Sequence, residues 1–250
     1  MGDGMTAFIS ITESQVLTAL GDFIVAILPA GVEVVRGQDN LVAEPSGPDF
    51  VVMTPTMRNR IETNIDTAAD VVFTGNIAGN LLTIANMTAG EAVQVGSPVF
   101  GVGVAPNTTI AALGSGTGGV GTYTVAPGNQ TVATETLAAG LRSMMQPTRI
   151  GIQLDVHGPN STNNCQIITT AFRDPFGYDF FAAQPADMAP LDADDGRQMP
   201  FINGENQYED RWVIMAYMQA NIAISTGQQY ADRLALAAVY DVTEEFPVGA

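Results

Sequence analysis

The feature that most constrains the fold is a run of strict alternation near the middle of the chain. Within Thr148–Val156 every second residue is aliphatic, namely Ile150, Ile152, Leu154 and Val156. Side chains of a strand point alternately to its two faces, so this spacing predicts a strand with one face on a core. The segment Arg211–Ile224 shows the same pattern, with Trp212, Ile214, Ala216 and Met218 on one face.

Two helices are predicted to pack on the resulting sheet. The first covers Glu13–Leu28, because Thr12 and Gln15 have the spacing of a capping box and an apolar stripe follows them. The second begins after Gly158–Ser161 and continues to about Phe172, with Cys165 and Ile168 on its apolar face. The predicted fold class is therefore α+β, a largely antiparallel sheet with two packed helices.

Shorter patterns complete the predicted main domain. Further strands are expected at Val32–Arg36, at Asp49–Thr54 between Pro48 and Pro55, at Arg58–Ile65 and at Arg233–Val242. In contrast, residues 184–210 show little periodicity and are predicted to be irregular.

A change of composition near Thr67 predicts a second domain. From there to about Ala139 the chain has no arginine, and short β-prone runs alternate with glycine-rich turns. We predict a small all-β module inserted at residues 67–140, so that the main domain is discontinuous and consists of residues 1–66 and 141–250. A flexible low-complexity loop is the alternative, but regularly placed apolar positions argue against it: Leu82, Ile84, Val93, Val95, Ile110 and Val125.

The charge balance limits the partners that the chain can bind. The net charge is −17, only 14% of the residues are charged, and all nine basic residues are arginines. Since binding to phosphate depends on clustered Lys and Arg, specific binding to nucleic acid is not expected. An acidic wall could still line a channel through which DNA slides, although acidity could equally serve solubility alone. The low charge also fits a subunit that covers much of its surface with copies of itself.

No transmembrane or export segment is predicted. The longest apolar run, Phe23–Leu28, is far too short to span a bilayer, and the N-terminal residues lack the pattern of a signal peptide. We therefore expect a soluble protein with no membrane partner.

A cysteine nucleophile with a histidine base would have to be Cys165 with His157, since the chain has one cysteine and one histidine. A catalytic pair needs the two side chains to converge. Cys165 lies on the apolar face of the predicted helix, which favours a packing role, and His157 follows a strand, where it could cap a turn. One Cys and one His also cannot form a closed zinc site.

Other patterns that resemble binding sites are incomplete. Asp192, Asp194 and Asp195 suggest an oxygen-rich cation loop, but Glu205 and Glu209 do not have the spacing of the terminal ligand. The glycine-rich runs lack the lysine of a phosphate-binding loop. We therefore predict no catalytic residue, no cofactor and no metal ligand.

Several motifs resemble the phage neck terminator family of tailed-phage structural proteins. They are Ile152–Asn160, Arg173–Asp174, and Asp194–Trp212 with its Gln-Met-Pro-Phe-Ile-Asn run, together with Phe50–Pro55, Arg58–Arg60 and Thr63–Asp66. The resemblance covers most of residues 10–66 and 141–242. The residues of the insertion are similar to glycine- and threonine-rich β modules found inside many phage structural proteins.

This resemblance implies a structural subunit, without catalytic residues, of a ring where tail joins head. The implied partners are copies of the chain itself, six as the first choice and twelve as the second, and neighbouring neck and tail proteins. DNA would pass through the channel without specific binding. The implied location is the virion neck, after assembly in the host cytoplasm. A collar, gateway or head-decoration protein is the alternative within the virion, and a Cys/His hydrolase is the alternative outside it.

Residues 190–212 are predicted to contact neighbouring subunits, because long ordered loops are usually functional. Apolar residues at the centre of this segment lie among charged ones. Protein–protein interfaces have the same arrangement, an apolar core with a polar rim. Tucking of Phe201 and Ile202 onto the parent sheet is the alternative. The predicted interface consists of Asp194, Asp195, Arg197, Gln198, Met199, Phe201, Ile202, Tyr208 and Arg211.

Overall fold

The computed structural model describes residues 7–38, 45–90, 92–202 and 208–227. These residues form three helices and fourteen strands, in a mostly antiparallel arrangement. The helices are α1 (Glu13–Ile27), α2 (Ser161–Arg173) and α3 (Pro175–Ala182). The strands are β1 (Phe8–Ile9), β2 (Glu33–Arg36), β3 (Phe50–Arg60), β4 (Ile65–Gly79), β5 (Leu81–Ala89), β6 (Val99–Phe100), β7 (Thr109–Leu113), β8 (Gly121–Ala126), β9 (Gln130–His157), β10 (Met188–Ala193), β11 (Arg197–Gln198), β12 (Phe201–Ile202), β13 (Tyr208–Glu209) and β14 (Arg211–Gly227).

The chain divides into two compact units. The first comprises the described residues of Met1–Ala68 and Arg142–Thr226. The second comprises those of Ala69–Leu141, together with Gly227. The folding of residues 67–140 as a separate module stays a prediction.

Strand β14 organises the sheet of the first unit. On one side it pairs antiparallel with β1, β10 and β11, and on the other it neighbours β9. Beyond β9 lies β3, again antiparallel, and β3 pairs with β2 in parallel. The alternation in the sequence predicted the core face correctly, since Ile150, Ile152, Leu154 and Val156 are all buried. On β14, Ile214, Ala216 and Met218 are buried too, while Trp212 is half-buried.

The capping box at the start of α1 is confirmed. The Gln15 amide N–H donates to Thr12 Oγ1, and the Thr12 amide N–H donates to Gln15 Oε1 at 2.8 Å. The two bonds satisfy backbone groups that a helix start leaves unpaired. The apolar stripe of α1 enters the main core, where the Phe23 ring lies 5.9 Å from that of Phe172 and 5.3 Å from that of Phe181.

The structure contains a third helix that the sequence patterns did not predict, so the predicted number of helices was wrong. Asp174 caps α3, accepting a hydrogen bond from the Phe176 amide at 3.0 Å, and Pro175 occupies the first turn. Asp followed by Pro is a common start signal, because proline lacks the N–H that a first turn leaves unpaired. This signal was present in the sequence.

The predicted strand boundaries near Pro55 were also wrong. Strand β3 continues through Pro55 to Arg60, with a register shift between Pro55 and Met57. Pairing of β3 with β2 involves only Phe50–Met53, so Pro55 lies where β2 no longer pairs with β3. An edge position accepts proline because no ladder hydrogen bond is lost there. The predicted strand Arg58–Ile65 is instead the end of β3 and the first residue of β4.

Residues 184–210 are more regular than predicted. They contain β10 and β11, both paired with β14, and the two-stranded ladder of β12 and β13. The prediction of an irregular segment was wrong because pairing to the edge of β14 does not require apolar alternation in the added strand. The predicted strand Arg233–Val242 lies outside the described residues.

The second unit has an apolar core of its own. Strands β4, β5, β8 and β7 pair antiparallel in that order. The core contains five of the six apolar positions noted in the sequence, Leu82, Ile84, Val93, Ile110 and Val125, whereas Val95 is exposed. At its centre Tyr123 is fully buried, and its hydroxyl donates to the Gly119 carbonyl at 2.6 Å and accepts from the Gly118 amide at 2.9 Å. The ordered strands contradict the alternative of a flexible loop.

Candidate subunit interface

The segment predicted to contact neighbouring subunits, residues 190–212, is called the contact segment here. It begins within β10, continues through β11 and the β12–β13 ladder, and ends at the start of β14. Backbone bonds tie it to the sheet, since the Asp194 amide donates to the Met215 carbonyl at 2.8 Å and the Met199 amide to the Arg211 carbonyl at 2.9 Å. The backbone of the contact segment is therefore held by the sheet.

Apolar side chains of the contact segment are exposed. Met199 is 51% exposed, Ile202 55% and Tyr208 84%. Ile202 and Tyr208 are opposite each other in the β12–β13 ladder. We call these three residues the apolar tip. Exposure of Ile202 shows that it does not tuck onto the parent sheet, while the side chain of Phe201 lies outside the described part of the chain.

Several charged residues of the contact segment form ion pairs within the subunit. The Arg211 guanidinium binds Asp155 on β9, with Nη2 2.5 Å from Oδ1. Asp195 binds Arg173 of α2 at 3.0 Å, and the same arginine lies 3.4 Å from Asp192. Arg173 also donates from Nε to the Ala193 carbonyl at 2.8 Å. These contacts attach the segment to β9 and α2.

His157 anchors the base of the β12–β13 ladder. Its Nδ1 lies 2.6 Å from Oε1 of Glu209. Its ring stacks on Phe50, with 4.5 Å between the centroids, and it is nearly buried. The side chain of His157 thus joins the end of β9 to β13. That it also caps a turn stays a prediction.

Gly196 is needed where the contact segment crosses α2. A Cβ at this position would overlap the Sγ of Cys165 and lie 3.3 Å from Cε3 of Trp212. Cys165 is buried, as expected for a packing residue, and burial raises the pKa of its thiol. Only the thiolate is an effective nucleophile, so a raised pKa opposes a catalytic role.

The acidic residues near Gly196 do not form a recognisable cation site. Asp192 and Asp195 bind Arg173, and Asp194 lies 3.4 Å from the Tyr217 hydroxyl. Within the described ranges, no group of three or more acidic, His or Cys side chains is placed to hold a metal ion.

No helix in the described part of the chain is long and apolar enough to cross a membrane.

Residues 120–245, half of the chain, match the family model described as phage neck terminator protein. The chain belongs to this family. The match includes the contact segment, and it begins inside the second unit, so it covers β8 and the first part of β9 as well. No curated protein matches the chain.

Membership of the neck terminator family establishes the general role. The protein is a structural component of the phage neck and therefore of the virion, and the family implies contacts with other neck and tail proteins. The family is structural and is not known for catalysis, in agreement with the buried Cys165 and its raised pKa.

Proposed function

We propose that the protein forms a closed ring of identical subunits that joins tail to head and surrounds the channel for DNA. Six copies are the first expectation and twelve the second. A contact between two different surfaces of the same subunit produces a ring when its rotation closes. The observation that carries this proposal is the apolar tip, since Met199, Ile202 and Tyr208 are exposed on a segment held by backbone bonds and ion pairs.

The chemistry of the contact segment supports its role as the subunit interface. Aromatic side chains and Met are enriched in interface cores, where their burial excludes water. Tyr208 is the most exposed member of the tip, and a tyrosine offers a large apolar area at low cost in side-chain entropy. We propose that Asp194, Asp195, Gln198, Phe201 and Arg211 surround this contact.

Most of the described arginines bind other side chains or the backbone of the same subunit, which supports a channel that does not bind DNA specifically. Four of them form ion pairs, Arg58, Arg142, Arg173 and Arg211. Arg36 donates hydrogen bonds to α1, and the Arg149 guanidinium stacks on the Tyr217 ring at 3.9 Å. Phosphate binding depends on clustered cationic groups, and six of the eight arginines in the described residues are engaged within the subunit. With a net charge of −17, the surface favours sliding of DNA over retention.

The experiment that tests the ring is electron microscopy of virions, because closure can require neighbouring proteins. We expect a ring with cyclic symmetry at the neck, of six or twelve copies of this chain. A neck in which the chain occurs as a monomer or a simple dimer would overturn the proposal.

The role of the contact segment as the interface is tested by measuring ring formation and the stability of the monomer separately in the same variants. Tyr208→Ala should weaken ring formation, since truncation of an interface hot spot costs about 2 kcal/mol or more. The monomer should unfold within about 0.5 kcal/mol of wild type, because this side chain is 84% exposed. Arg197→Ala and Phe201→Ala complete the series. Tyr178→Ala on α3 is the matched control, since Tyr178 is 58% exposed and lies outside the segment. Rings that persist in all three segment variants would exclude this interface.

A further inference from the structure

A groove of about 260 Å³ lies between α1 and residues 184–188. Ala19, Pro185 and Met188 contribute apolar lining, and Asp22 lies on its α1 wall. Asp22 is exposed, and among the described residues it has no ion-pair partner. The volume falls below the range of about 300–1,000 Å³ typical of small-molecule sites, so protein side chains are a better match than a free small molecule.

The apolar tip has the complementary chemistry. Arg197 precedes it, is exposed and has no ion-pair partner among the residues that the structure describes. The apolar tip with the unpaired Arg197 beside it is thus complementary to the apolar part of the groove with the unpaired Asp22 beside it. Opposite charges at the rim of an apolar contact fix its register and favour the correct partner.

The tip cannot occupy the groove of its own subunit. Both surfaces lie along β14, since Met188 pairs with Ala220 at the groove end and Gln198 pairs with Trp212 at the tip end. Eight residues of extended strand separate the two registers, which corresponds to about 27 Å at the rise of a strand. The tip therefore needs a groove on another copy.

We propose that the apolar tip of one subunit inserts into the α1 groove of the next, with Arg197 paired to Asp22 across the contact. The occupant of the groove is thus a second copy of this chain. The contact joins two different surfaces, so each subunit keeps a free tip and a free groove until the ring closes. This inference rests on the proposed ring and specifies which surfaces form it.

Charge exchange tests the pairing without disturbing the core, because both residues are exposed. Arg197→Asp places two carboxylates at the contact, and Asp22→Arg places two guanidinium groups there. Each single variant should weaken the association between subunits by about tenfold or more. The double variant Arg197→Asp/Asp22→Arg restores opposite charges and should associate within about threefold of wild type.

Mixing the two single variants gives a sharper result. Each Arg197→Asp subunit offers an acidic tip to the basic groove of an Asp22→Arg subunit. Each Asp22→Arg subunit in turn offers its unchanged Arg197 to an intact Asp22. The mixture should therefore form rings in which the two variants alternate, which is possible only for an even number of copies. Native mass spectrometry measures the composition and size of these rings, with Asp179→Arg on α3 as the control charge reversal.

The outcomes separate this inference from the proposed function. Restored association in the double variant and in the mixture, after loss in both single variants, supports the pairing. Rings that survive either single variant, or losses that neither combination restores, overturn the pairing while the ring itself stands. Association restored only as far as a closed dimer overturns the head-to-tail arrangement. Absence of any ring from virions made with the wild-type chain overturns the proposed function first.

Discussion

Gly196→Ala examines how the contact segment is held against α2. The added methyl group would overlap Cys165 Sγ, and Trp212 Cε3 would lie only 3.3 Å away. Neither neighbour can easily move, because Cys165 belongs to the core and Trp212 packs against that core. The backbone at Gly196 is not left-handed, so the expected effect is purely steric.

The magnitude follows from two opposing effects. Overpacking a well-packed site costs about 1–3 kcal/mol. Alanine has less conformational freedom than glycine in the unfolded chain. This difference stabilises the folded state by about 0.4–1 kcal/mol and offsets part of that cost. We therefore expect Gly196→Ala to lower the free energy of unfolding by about 1–2 kcal/mol.

Cys165→Ala supplies the decisive comparison. Alone it removes one buried atom and should cost about 1 kcal/mol through the void that remains. Combined with Gly196→Ala, it provides the space that the new methyl group needs. The double variant should thus be more stable than Gly196→Ala alone by about 1 kcal/mol, which corresponds to a favourable coupling of about 2 kcal/mol, within the range for residues in contact.

The assay is guanidinium unfolding followed by the fluorescence of Trp212, the single tryptophan of the chain. This reporter lies beside the substituted position. Gly21→Ala in α1 is the matched control, since its nearest neighbour is the flexible end of Met53 at 3.2 Å. We expect the control to be as stable as wild type or more so, because alanine favours a helix by about 1 kcal/mol over glycine. Wild-type stability of Gly196→Ala, or simple additivity in the double variant, would refute the reasoning.

Two further predictions concern the module and the thiol. Deleting residues 67–140 with a short linker should leave the main domain folded, as measured by circular dichroism and Trp212 fluorescence, because the module has a separate apolar core. An unfolded deletion variant would mean that the module belongs to the main core. Alkylation of Cys165 should be slow at neutral pH in the folded protein and rise only at higher pH, since burial raises the pKa of its thiol and only the thiolate reacts. Rapid modification of the native protein at neutral pH would instead favour the hydrolase.

The sequence alone was sufficient where the decisive interactions are local. The capping box of α1 joins Thr12 to a residue three positions away, and the alternation on β9 and β14 follows from strand geometry. The sequence also singled out Tyr208 and Met199, since apolar side chains are unusual in a polar segment. Both are exposed in the structure, and their role as interface residues stays a prediction. The missed helix α3 was also within reach of the sequence, because Asp174 and Pro175 carry a local start signal.

Tertiary structure decided the features that depend on distant partners. Pro55 lies within a strand only because β2 no longer pairs with that part of β3. Residues 188–193 become a strand because β14 has an open edge beside them. Arg211 pairs with Asp155, 56 positions away in the sequence, and His157 pairs with Glu209, 52 positions away. Sequence periodicity reports which face of an element is buried, whereas pairing depends on which elements the whole chain brings together.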